Sequence, residues 1–300
     1  MGIGDSEPRS SRLLRTVIGA YRRGVLPPRG YGKLFDHTPA EWWGGQDVRI
    51  GTQIGEMVLP LRDHGARQYL VFGELPHERA ETAMMRRLLP RLRTVIDVGA
   101  SYGWYTRLAA DLLPAGGTIV AIEANPTLRP YLLRNAGPRA EVLNAAIAGE
   151  PGETMFYLSA NSSLSSAARP VGTPLTVSAV TLDQVVHAKG GTADLIKCDV
   201  EGGELAVLAG SRRVRAAARP PIWLIEVIER FLIEVGGSYA DLDAAFASCG
   251  RVTYYQATDG GWLRPLDGGL HSLRHGRQAN VVVVPEQRTA DVADLVAEAP

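Results

Sequence analysis

The sequence of 300 residues predicts an α/β protein built on a doubly wound, mostly parallel β-sheet. Two observations predict this fold. Apolar runs of strand length, rich in β-branched residues, alternate along the chain with segments of helical periodicity. Acidic side chains also stand at the carboxyl ends of several of these runs, at Glu123, Asp199 and Glu226. Because ligands of open parallel sheets bind beyond the carboxyl ends of the strands, these acids predict a binding crevice there.

Residues 94–105, TVIDVGASYGWY, form the first predicted strand–turn–helix unit of this sheet. The strand-like run stops at Gly99, and from Gly103 onward the apolar residues fall on one helical face. A dinucleotide-binding turn has a further glycine between these two, which lets the backbone approach a pyrophosphate. The turn in this chain therefore suits a nucleoside without a pyrophosphate, such as S-adenosylmethionine. A plain strand-to-helix turn in another doubly wound domain is the alternative.

The composition argues against several classes of protein. The formal net charge is zero, so no global charge points to nucleic acid or to an acidic membrane. Cys198 and Cys249 lie far apart and outside any CxxC or Cys/His cluster, which argues against a structural zinc site or a disulfide framework. No apolar stretch approaches the length of a transmembrane span, and the N-terminus lacks an apolar core followed by a cleavage site. We therefore expect a cytoplasmic protein without a nucleic-acid partner.

An N-terminal extension, residues 1–80, is expected to precede the main domain. Its segment 12–25 predicts an amphipathic basic helix that either packs on the main domain or contacts a membrane surface or a partner. Segments 57–61 and 68–72 predict the two short strands of a hairpin, and segment 77–89 predicts a helix that leads into the first strand of the sheet. We expect the hairpin to lie against the edge of the domain.

Other polar residues follow the predicted strands. Glu123 ends the second strand about twenty residues after the glycine turn, where a carboxylate can bind both hydroxyls of an adenosine ribose. Asn144 ends the third strand and either reaches the adenine or caps its own loop. The Ser-rich segment 159–173 is expected to be a mobile loop near the site. His271 and His275, in the loop before the last strand, are either catalytic or merely solvated.

The second informative stretch is residues 194–204, DLIKCDVEGGE. A predicted buried strand carries Lys197 and Asp199 towards its carboxyl end, and Glu201 starts the turn that follows. Glu226 ends another predicted strand. Burying several charges at one edge of a sheet is costly unless they are paired, so charges at this position are expected to have a function. We therefore interpret the three acids as catalytic candidates.

The chain resembles the FkbM family of methyltransferases over about residues 95–285, because its motifs follow one another at the intervals of that family. The motifs are DVGASYGWY, AIEANP, LNAAI, VTLDQV, DLIKCDVEGGELAVLAG, IEV and NVVVVP, of which the DVEGGE stretch with its LAG tail is the most specific. The resemblance implies a class I, Rossmann-like, seven-stranded fold. It implies methyl transfer from S-adenosylmethionine to a hydroxyl, often on a sugar or a macrolide-type product. It places the methyltransferase domain at 81–287 and a C-terminal tail at 288–300.

Carried over by position, the resemblance also implies a set of residues that contact the cofactor. They are Asp97, Gly99, Ala100, Ser101, Gly103, Tyr105, Glu123, Ala124, Asn144 and Asp199. Glu123 would hold the ribose, Ala124 and Asn144 would lie near the adenine, and Asp199 would stand beside the methionine end. The segment before about residue 81 lies outside the resemblance and is expected to set the choice of acceptor.

Together these features predict an O-methyltransferase that acts on a hydroxyl of a saccharide or glycosylated metabolite. An alcohol is a weak acid, so a carboxylate general base is expected, Asp199 or Glu201 ahead of Glu226. Lys197 would orient the base or stabilise the developing alkoxide. No residue is assigned as a metal ligand, but the clustered acids leave a magnesium-assisted reaction as an alternative. Two different classes of protein stay open as well, a nicotinamide-dependent oxidoreductase and a non-catalytic binding module, and so does a homo-oligomer.

Overall fold

The computed structural model describes residues 12–26, 43, 47–159, 161–273 and 278–296. The helices of this part are α1 Arg12–Arg22, α2 His64–Phe72, α3 Arg79–Leu88, α4 Trp104–Leu112, α5 Arg129–Ala136, α6 Leu182–His187, α7 Glu204–Ala209, α8 Arg212–Arg215, α9 Glu229–Glu234, α10 Tyr239–Ala247 and α11 Thr289–Val292. The strands are β1 Asp47–Thr52, β2 Gly55–Pro60, β3 Thr94–Val98, β4 Thr118–Ile122, β5 Ala140–Leu143, β6 Ala146–Ile147, β7 Gly152–Leu158, β8 Thr173–Val180, β9 Leu195–Cys198, β10 Ile222–Ile228, β11 Val252–Ala257, β12 Leu263–Pro265 and β13 Gln278–Pro285. None of these helices is long and apolar enough to cross a membrane.

The central sheet has the strand order β12-β11-β13-β10-β9-β3-β4-β5. Strands β5, β4, β3, β9 and β10 run parallel, and β13 runs antiparallel to both β10 and β11. The predicted α/β fold with a mostly parallel sheet is thus confirmed. The sheet differs from the expected seven strands by β12, three residues paired with β11 at the edge. A three-residue strand is too short to show an alternating pattern, so the sequence does not reveal it.

Successive residues of the central strands point to opposite faces of the sheet, and both faces are buried. Val95 and Leu224 pack in one apolar cluster with residues of α3 and α4. Ile96 and Ile225, their neighbours in sequence, pack in a second cluster with residues of α6, α7 and α10. Helices therefore cover both faces, and the sheet is doubly wound as predicted.

The strand order places the ligand crevice near the middle of the sheet. After β3 the chain continues to β4 and β5 on one side, and it later returns to β9 on the other side. The loops that follow β3 and β9 therefore leave the sheet in different directions and open a crevice between them. Asp97 of β3 and Lys197 of β9 are register partners. Charged groups from the two halves of the fold thus meet at this point.

A hairpin is present in the N-terminal extension, and residues 57–60 of the first predicted strand lie in β2, but the second predicted strand is not part of it. Strand β1 pairs antiparallel with β2, whereas residues 68–72, predicted as a strand, belong to α2. Asp63 caps this helix by accepting a hydrogen bond from the Gly65 N–H at 2.7 Å, and Gly73 ends it with a left-handed φ of 71°. A five-residue apolar run is too short to distinguish a strand from a helix, so the flanking cap residues decide.

The hairpin shares a hydrophobic core with the sheet, since Met57 of β2 belongs to the same cluster as Leu108 of α4. Asn135 of α5 links the two by hydrogen bonds. Its Oδ1 accepts from the Val58 N–H at 2.7 Å, and its Nδ2 donates to the carbonyls of Val58 at 3.1 Å and Tyr102 at 2.8 Å. The hairpin is therefore bonded to the glycine turn through a single amide side chain.

Both ends of the described chain pack on the domain. The ring of Tyr21 in α1 meets that of Phe72 in α2 edge-on, with the centroids 5.2 Å apart. Ile18 and Tyr21 of α1 also belong to the same hydrophobic core as Val95 of β3, which agrees with the interpretation of α1 as a helix packed on the main domain. At the other end, Val292 and Leu295 are buried in the core, and Arg288 is fully buried beside Asp291. Residues 288–296, expected as a tail, thus pack against the rest of the fold.

A separate three-stranded sheet, in the order β6-β8-β7, carries the segment predicted as a mobile loop. Strands β7 and β8 pair antiparallel, and the chain between them forms a short 3₁₀ helix at Ser162–Leu164. The Ser162 N–H donates a hydrogen bond to Asp63 Oδ2 at 3.2 Å, which ties the segment to the cap of α2. The segment forms one wall of the cavity described below, and its mobility stays a prediction.

Candidate active site

A cavity of about 430 Å³ opens beyond the carboxyl ends of β3, β4, β9 and β10. This volume lies within the range of small-molecule sites in proteins. Most of the predicted site residues line it, namely Gly99, Ala100, Ser101, Tyr105, Glu123, Ala124, Asp199, Glu201 and Glu226. Three predicted residues, Asp97, Gly103 and Asn144, do not line it. The topology thus brings the acids of separate strands to one place.

The glycine turn after β3 approaches the turn after β9 closely. Gly99 has a φ of 76°, and an ideal Cβ at this position would lie 1.7 Å from the carbonyl oxygen of Asp199. Only glycine fits here. Among the described residues, the non-glycine residues with a left-handed backbone are Ser101, at φ 50°, and Glu201, at φ 54°. Both line the cavity, and strained backbone of this kind concentrates at functional sites.

The N–H groups of the turn are already used within the protein. Those of Gly99 and Ala100 donate to the Ile122 carbonyl, at 2.9 and 3.0 Å. The N–H of Ser101 donates to Glu123 Oε2 at 2.8 Å. A pyrophosphate-binding turn needs such groups free to face the phosphates. The arrangement therefore suits a nucleoside better than a dinucleotide.

Glu123 follows β4 and is 7% exposed. Its two carboxylate oxygens accept hydrogen bonds from the N–H groups of Ser101, at 2.8 Å, and Asn125, at 2.7 Å. Burial raises the pKa of Glu123 to about 7, against the effect of these bonds. Asn144 lies behind this residue, where its Nδ2 donates to the Glu123 carbonyl at 2.6 Å. In this structure Asn144 supports the Glu123 backbone instead of lining the cavity.

Asp97 and Gly103 hold the shape of the turn. Asp97 is 1% exposed and accepts a hydrogen bond from the Thr106 hydroxyl at 2.5 Å. Gly103 has a φ of 89° and begins α4, and an ideal Cβ there would come within 2.9 Å of Leu132. Both residues stabilise the turn that forms the cavity wall, although neither lines the cavity itself.

A buried ion pair stands at the acidic end of the cavity. Lys197 Nζ lies 2.9 Å from Asp199 Oδ2, and it lies 5.4 Å from the ring centroid of Tyr105. Burial alone would lower the pKa of Lys197, but the carboxylates of Asp199, Asp97 and Glu78 outweigh it and raise the pKa. Lys197 therefore stays charged and compensates several acids at once.

Two further carboxylates, those of Glu201 and Glu226, lie beside the Asp199 carboxylate of this ion pair. Asp199, Glu201 and Glu226 each bring an oxygen to a cluster in which these atoms lie within 4.8 Å of one another. Burial, together with the neighbouring acids, raises the pKa of Glu201 to about 9 and also raises that of Glu226. Gln278 donates a hydrogen bond to Glu226. The cluster offers proton acceptors to an alcohol and oxygen ligands to a hard cation.

The structure adds residues that sequence reasoning missed. Tyr69 of α2, and His77 and Glu78 just before α3, line the cavity. An acid near the start of a helix is common for reasons of the helix dipole alone, so no local signal sets Glu78 apart. His271 does not line the cavity and lies 3.6 Å from an Asp243 carboxylate oxygen, with its own side chain 64% exposed. His275 lies outside the described residues.

Comparison with known proteins identifies a family. The family description "Methyltransferase FkbM domain" matches residues 97–252, about half of the chain. No curated protein sequence matches the chain. Among solved structures, the methyltransferase FkbM of Methylobacillus flagellatus KT is similar, with a TM-score of 0.41 and 15% identity over 72% of this chain and 52% of that one. The alignment thus spans about half the length of the Methylobacillus protein.

Two further structures have similar scores. The SAM-dependent methyltransferase from Agrobacterium tumefaciens has a TM-score of 0.43 and 11% identity, over 80% of this chain and 69% of that one. The O-methyltransferase from Bacillus cereus, solved in complex with SAH, has a TM-score of 0.38 and 14% identity, over 70% of this chain and 82% of that one.

Proposed function

The chain belongs to the FkbM methyltransferase family, and we propose that it methylates a hydroxyl group of a saccharide or glycosylated metabolite with S-adenosylmethionine as methyl donor. The observation that carries the proposal is the single cavity in which the glycine turn, Glu123 and the acids around Asp199 come together. One part of this cavity has the groups that suit a nucleoside. The other part has the carboxylates that an alcohol substrate needs.

The residues present fit S-adenosylmethionine. Gly99 lets the glycine turn pack directly on the turn after β9, because any Cβ at this position would collide with the Asp199 carbonyl oxygen. Each carboxylate oxygen of Glu123 accepts one backbone hydrogen bond and keeps a lone pair for a ribose hydroxyl. Ala124 would lie near the adenine, and Asp199 would stand beside the methionine end. When bound, S-adenosylmethionine supplies a methyl group on a positively charged sulfur.

The protein itself must align the acceptor hydroxyl and take its proton. Alignment with the methyl carbon removes much of the entropic barrier. The acceptor oxygen forms its new bond as the carbon–sulfur bond breaks, and the hydroxyl proton passes to a carboxylate. Glu201 keeps its own proton at neutral pH, because its pKa is raised to about 9. We therefore place the general base at Asp199, oriented by Lys197, with Glu201 and Glu226 as the other candidates.

Calorimetric titration of the wild-type protein with S-adenosylmethionine and, separately, with NAD tests the cofactor. We expect binding of the first and none of the second. In Glu123→Ala the binding should be lost, whereas Glu141→Ala, which removes an exposed acid from β5, should bind as the wild type does. Thermal unfolding of both variants checks that they are folded. Binding of NAD alone would overturn the methyltransferase proposal in favour of an oxidoreductase.

The acceptor class is tested by incubating the wild-type protein and S-adenosylmethionine with a panel of methyl hexopyranosides. Mass spectrometry detects the gain of one methyl group in the product. We expect Asp199→Asn to reduce turnover strongly while the protein stays folded. If alanine at both Asp199 and Glu201 left turnover intact, the base would lie elsewhere. If no member of the panel were methylated, the saccharide part of the proposal would be wrong.

A magnesium-assisted reaction is the second candidate function. The observation in its favour is the cluster of carboxylate oxygens of Asp199, Glu201 and Glu226. These residues would hold the ion, which lowers the pKa of a bound hydroxyl. Asp199 is already paired with Lys197, and Glu201 would have to lose its proton before it could bind a metal ion. The metal-free reaction is therefore our first proposal. Loss of activity with a chelator, restored by magnesium, would reverse this order.

The cytoplasmic location and the oligomeric state stay predictions. Cell fractionation followed by immunodetection would test the first. Light scattering of the purified protein would test the second.

A further inference from the structure

His77 brings an imidazole from the N-terminal segment into the cavity wall. It lies in the 3₁₀ turn Pro76–Glu78 just before α3, outside residues 97–252 of the family match, and it lines the same cavity as Asp199. Its side chain is 44% exposed. Imidazole is the side chain that takes up and releases protons near neutral pH, so an accessible one in this cavity is suited to proton transfer.

A buried carboxylate holds this imidazole. Nε2 of His77 lies 3.4 Å from Oε1 of Glu78, whose side chain is 10% exposed. Burial would raise the pKa of Glu78, but the hydrogen bond and charge of His77, the charge of Lys197 and a hydrogen bond with Tyr105 outweigh it and lower the pKa. Glu78 is therefore ionised and fully engaged within the protein. An ionised carboxylate only accepts hydrogen bonds, so it keeps the ring proton on Nε2 and leaves Nδ1 to accept another.

Acids on three elements act on the ring. Burial would lower the pKa of His77, but Glu78, Asp199 after β9 and Glu81 of α3 outweigh it and raise the pKa. The charge of Asp199 thus reaches His77 across the cavity. A base oriented by an adjacent acid is the arrangement that activates histidine in catalytic dyads and triads. The neutral ring is also a much stronger base than a carboxylate.

Asp199 is poorly suited to keep a proton that it takes from the acceptor. Its Oδ2 lies 2.9 Å from Lys197 Nζ, and the Lys197 side chain is only 7% exposed. Protonation of Asp199 would remove the nearest counter-charge of this buried ammonium, which is strongly unfavourable. A second group that removes the proton would restore the ion pair.

We propose that His77 is the final proton acceptor of the methyl transfer and that Glu78 positions it. The acceptor oxygen bonds to the methyl carbon as the carbon–sulfur bond breaks, and its hydroxyl proton passes to Asp199. The proton then moves to Nδ1 of neutral His77, and the imidazolium releases it to solvent. This inference rests on the proposed function, because it names the group that completes the same reaction. Glu78 acts only through His77.

The first experiment is chemical rescue. At alkaline pH, His77→Ala should lower kcat on the best methyl hexopyranoside of the panel by roughly a hundredfold, as expected for loss of a proton-transfer group. Added imidazole should restore most of this activity and should leave the wild type unchanged. An unchanged kcat in His77→Ala, or a loss that imidazole does not restore, would overturn the proposal.

His271→Ala is the matched control. His271 also lies beside a carboxylate, 3.6 Å from Asp243 Oδ2, with its side chain 64% exposed, but it does not line the cavity. This variant should turn over as the wild type does, with or without imidazole. The same loss and rescue in His271→Ala would show that the effect does not come from the cavity.

The second experiment tests the positioning role of Glu78 by the pH dependence of kcat. The wild-type kcat should rise with pH through the pKa of His77, because only the neutral ring accepts a proton. Glu78→Gln removes the charge that raises this pKa most, so its rise should begin roughly one pH unit lower. Glu81→Gln removes a weaker influence and should move the rise less. A Glu78→Gln profile that coincides with that of the wild type would refute the pairing.

The third experiment does not depend on turnover. The ring protons of His77 are followed by NMR in the full-length protein with S-adenosylhomocysteine bound, and the signal is assigned by its absence in His77→Ala. We expect a pKa above the ordinary value of 6.5 that falls in Glu78→Gln. Calorimetry should give both variants an affinity for S-adenosylhomocysteine within about twofold of the wild type, since only proton transfer is lost. A large loss of affinity in His77→Ala would place the residue with the cofactor instead.

These results separate the two proposals. A wild type that methylates no sugar refutes the proposed function, and the role of His77 in it, whatever the NMR titration shows. An active wild type in which His77→Ala keeps full activity refutes the role of His77 alone.

Discussion

Replacing Gly99 by alanine tests how closely the glycine turn approaches the turn after β9. The left-handed φ of 76° at this position costs a non-glycine residue about 1–2 kcal/mol. The new Cβ would also lie 1.7 Å from the Asp199 carbonyl oxygen. This oxygen belongs to the backbone, and the Asp199 N–H is itself bonded to the Val98 carbonyl at 3.0 Å, so it cannot swing away as a side chain can. We expect a total loss of at least about 4 kcal/mol, a size that marks strain or severe overpacking.

Gly116→Ala is the matched control. Gly116 has a φ of 80°, but its Cβ would meet nothing within 4 Å. The control therefore carries the conformational cost alone, and it should lower the free energy of urea unfolding by about 1–2 kcal/mol. Its melting temperature should fall by roughly 2–4 °C for each kcal/mol lost. Gly99→Ala should lose at least twice as much and should no longer bind S-adenosylmethionine. Equal losses in the two variants would refute the close approach.

The remaining predictions concern charge. Lys197→Met removes the cation beside Asp199. Breaking a buried ion pair costs roughly 3–5 kcal/mol. We expect the free energy of urea unfolding to fall by an amount near the lower end of this range, because the Asp199 side chain is 23% exposed. Lys189→Met breaks a more exposed pair and should cost less than about 1 kcal/mol, so similar losses in the two lysine variants would contradict the buried pairing. The free energy of unfolding of the ligand-free protein should fall as the pH rises from 4.5 to about 7. Burial raises the pKa of Glu81 and of Glu123 from 4.5 to about 7. In this pH range the folded protein therefore holds protons that the unfolded chain has released, and stability decreases as the pH rises. Glu81→Gln should make this slope shallower, and a flat wild-type profile would argue against the raised pKa values. Affinity for S-adenosylmethionine should rise through the same pH range, since an ionised Glu123 is the stronger acceptor for ribose hydroxyls, and Glu123→Gln should abolish the rise in calorimetric titrations at several pH values.

Local patterns and one topological rule were enough to predict the sheet and much of the cavity wall. The apolar run before Gly99 and the acids Glu123, Asp199 and Glu226 sit within a few residues of strand ends. Parallel strands bring their carboxyl ends to one edge, so residues far apart in sequence were expected to meet. The structure places these four residues around one cavity.

Other features depend on contacts that the local pattern does not encode. Residues 68–72 have a strand-like composition but become helical because Asp63 and Gly73 supply the caps. Asn144 stands at a strand end as predicted, yet its rotamer turns it to the Glu123 carbonyl. Glu78 enters the cavity only because α3 packs beside the sheet. Side-chain rotamers and the packing of distant segments depend on tertiary contacts, so the hydrophobic periodicity of the sequence does not predict them.

The amide of Asn135 has a consequence for engineering and for divergence among related enzymes. It binds both the donor and the acceptor of Val58, and through Tyr102 it reaches the glycine turn. A chimera that exchanges the N-terminal segment at residue 80 would bring in a hairpin whose backbone has to match this amide. A chimera is expected to fold when β1, β2 and α5 all come from the same protein, because Asn135 then keeps its backbone partner Val58. A junction placed before β1 meets this condition. New acceptor preferences should therefore arise more readily by changing side chains on a retained hairpin than by recombining whole segments.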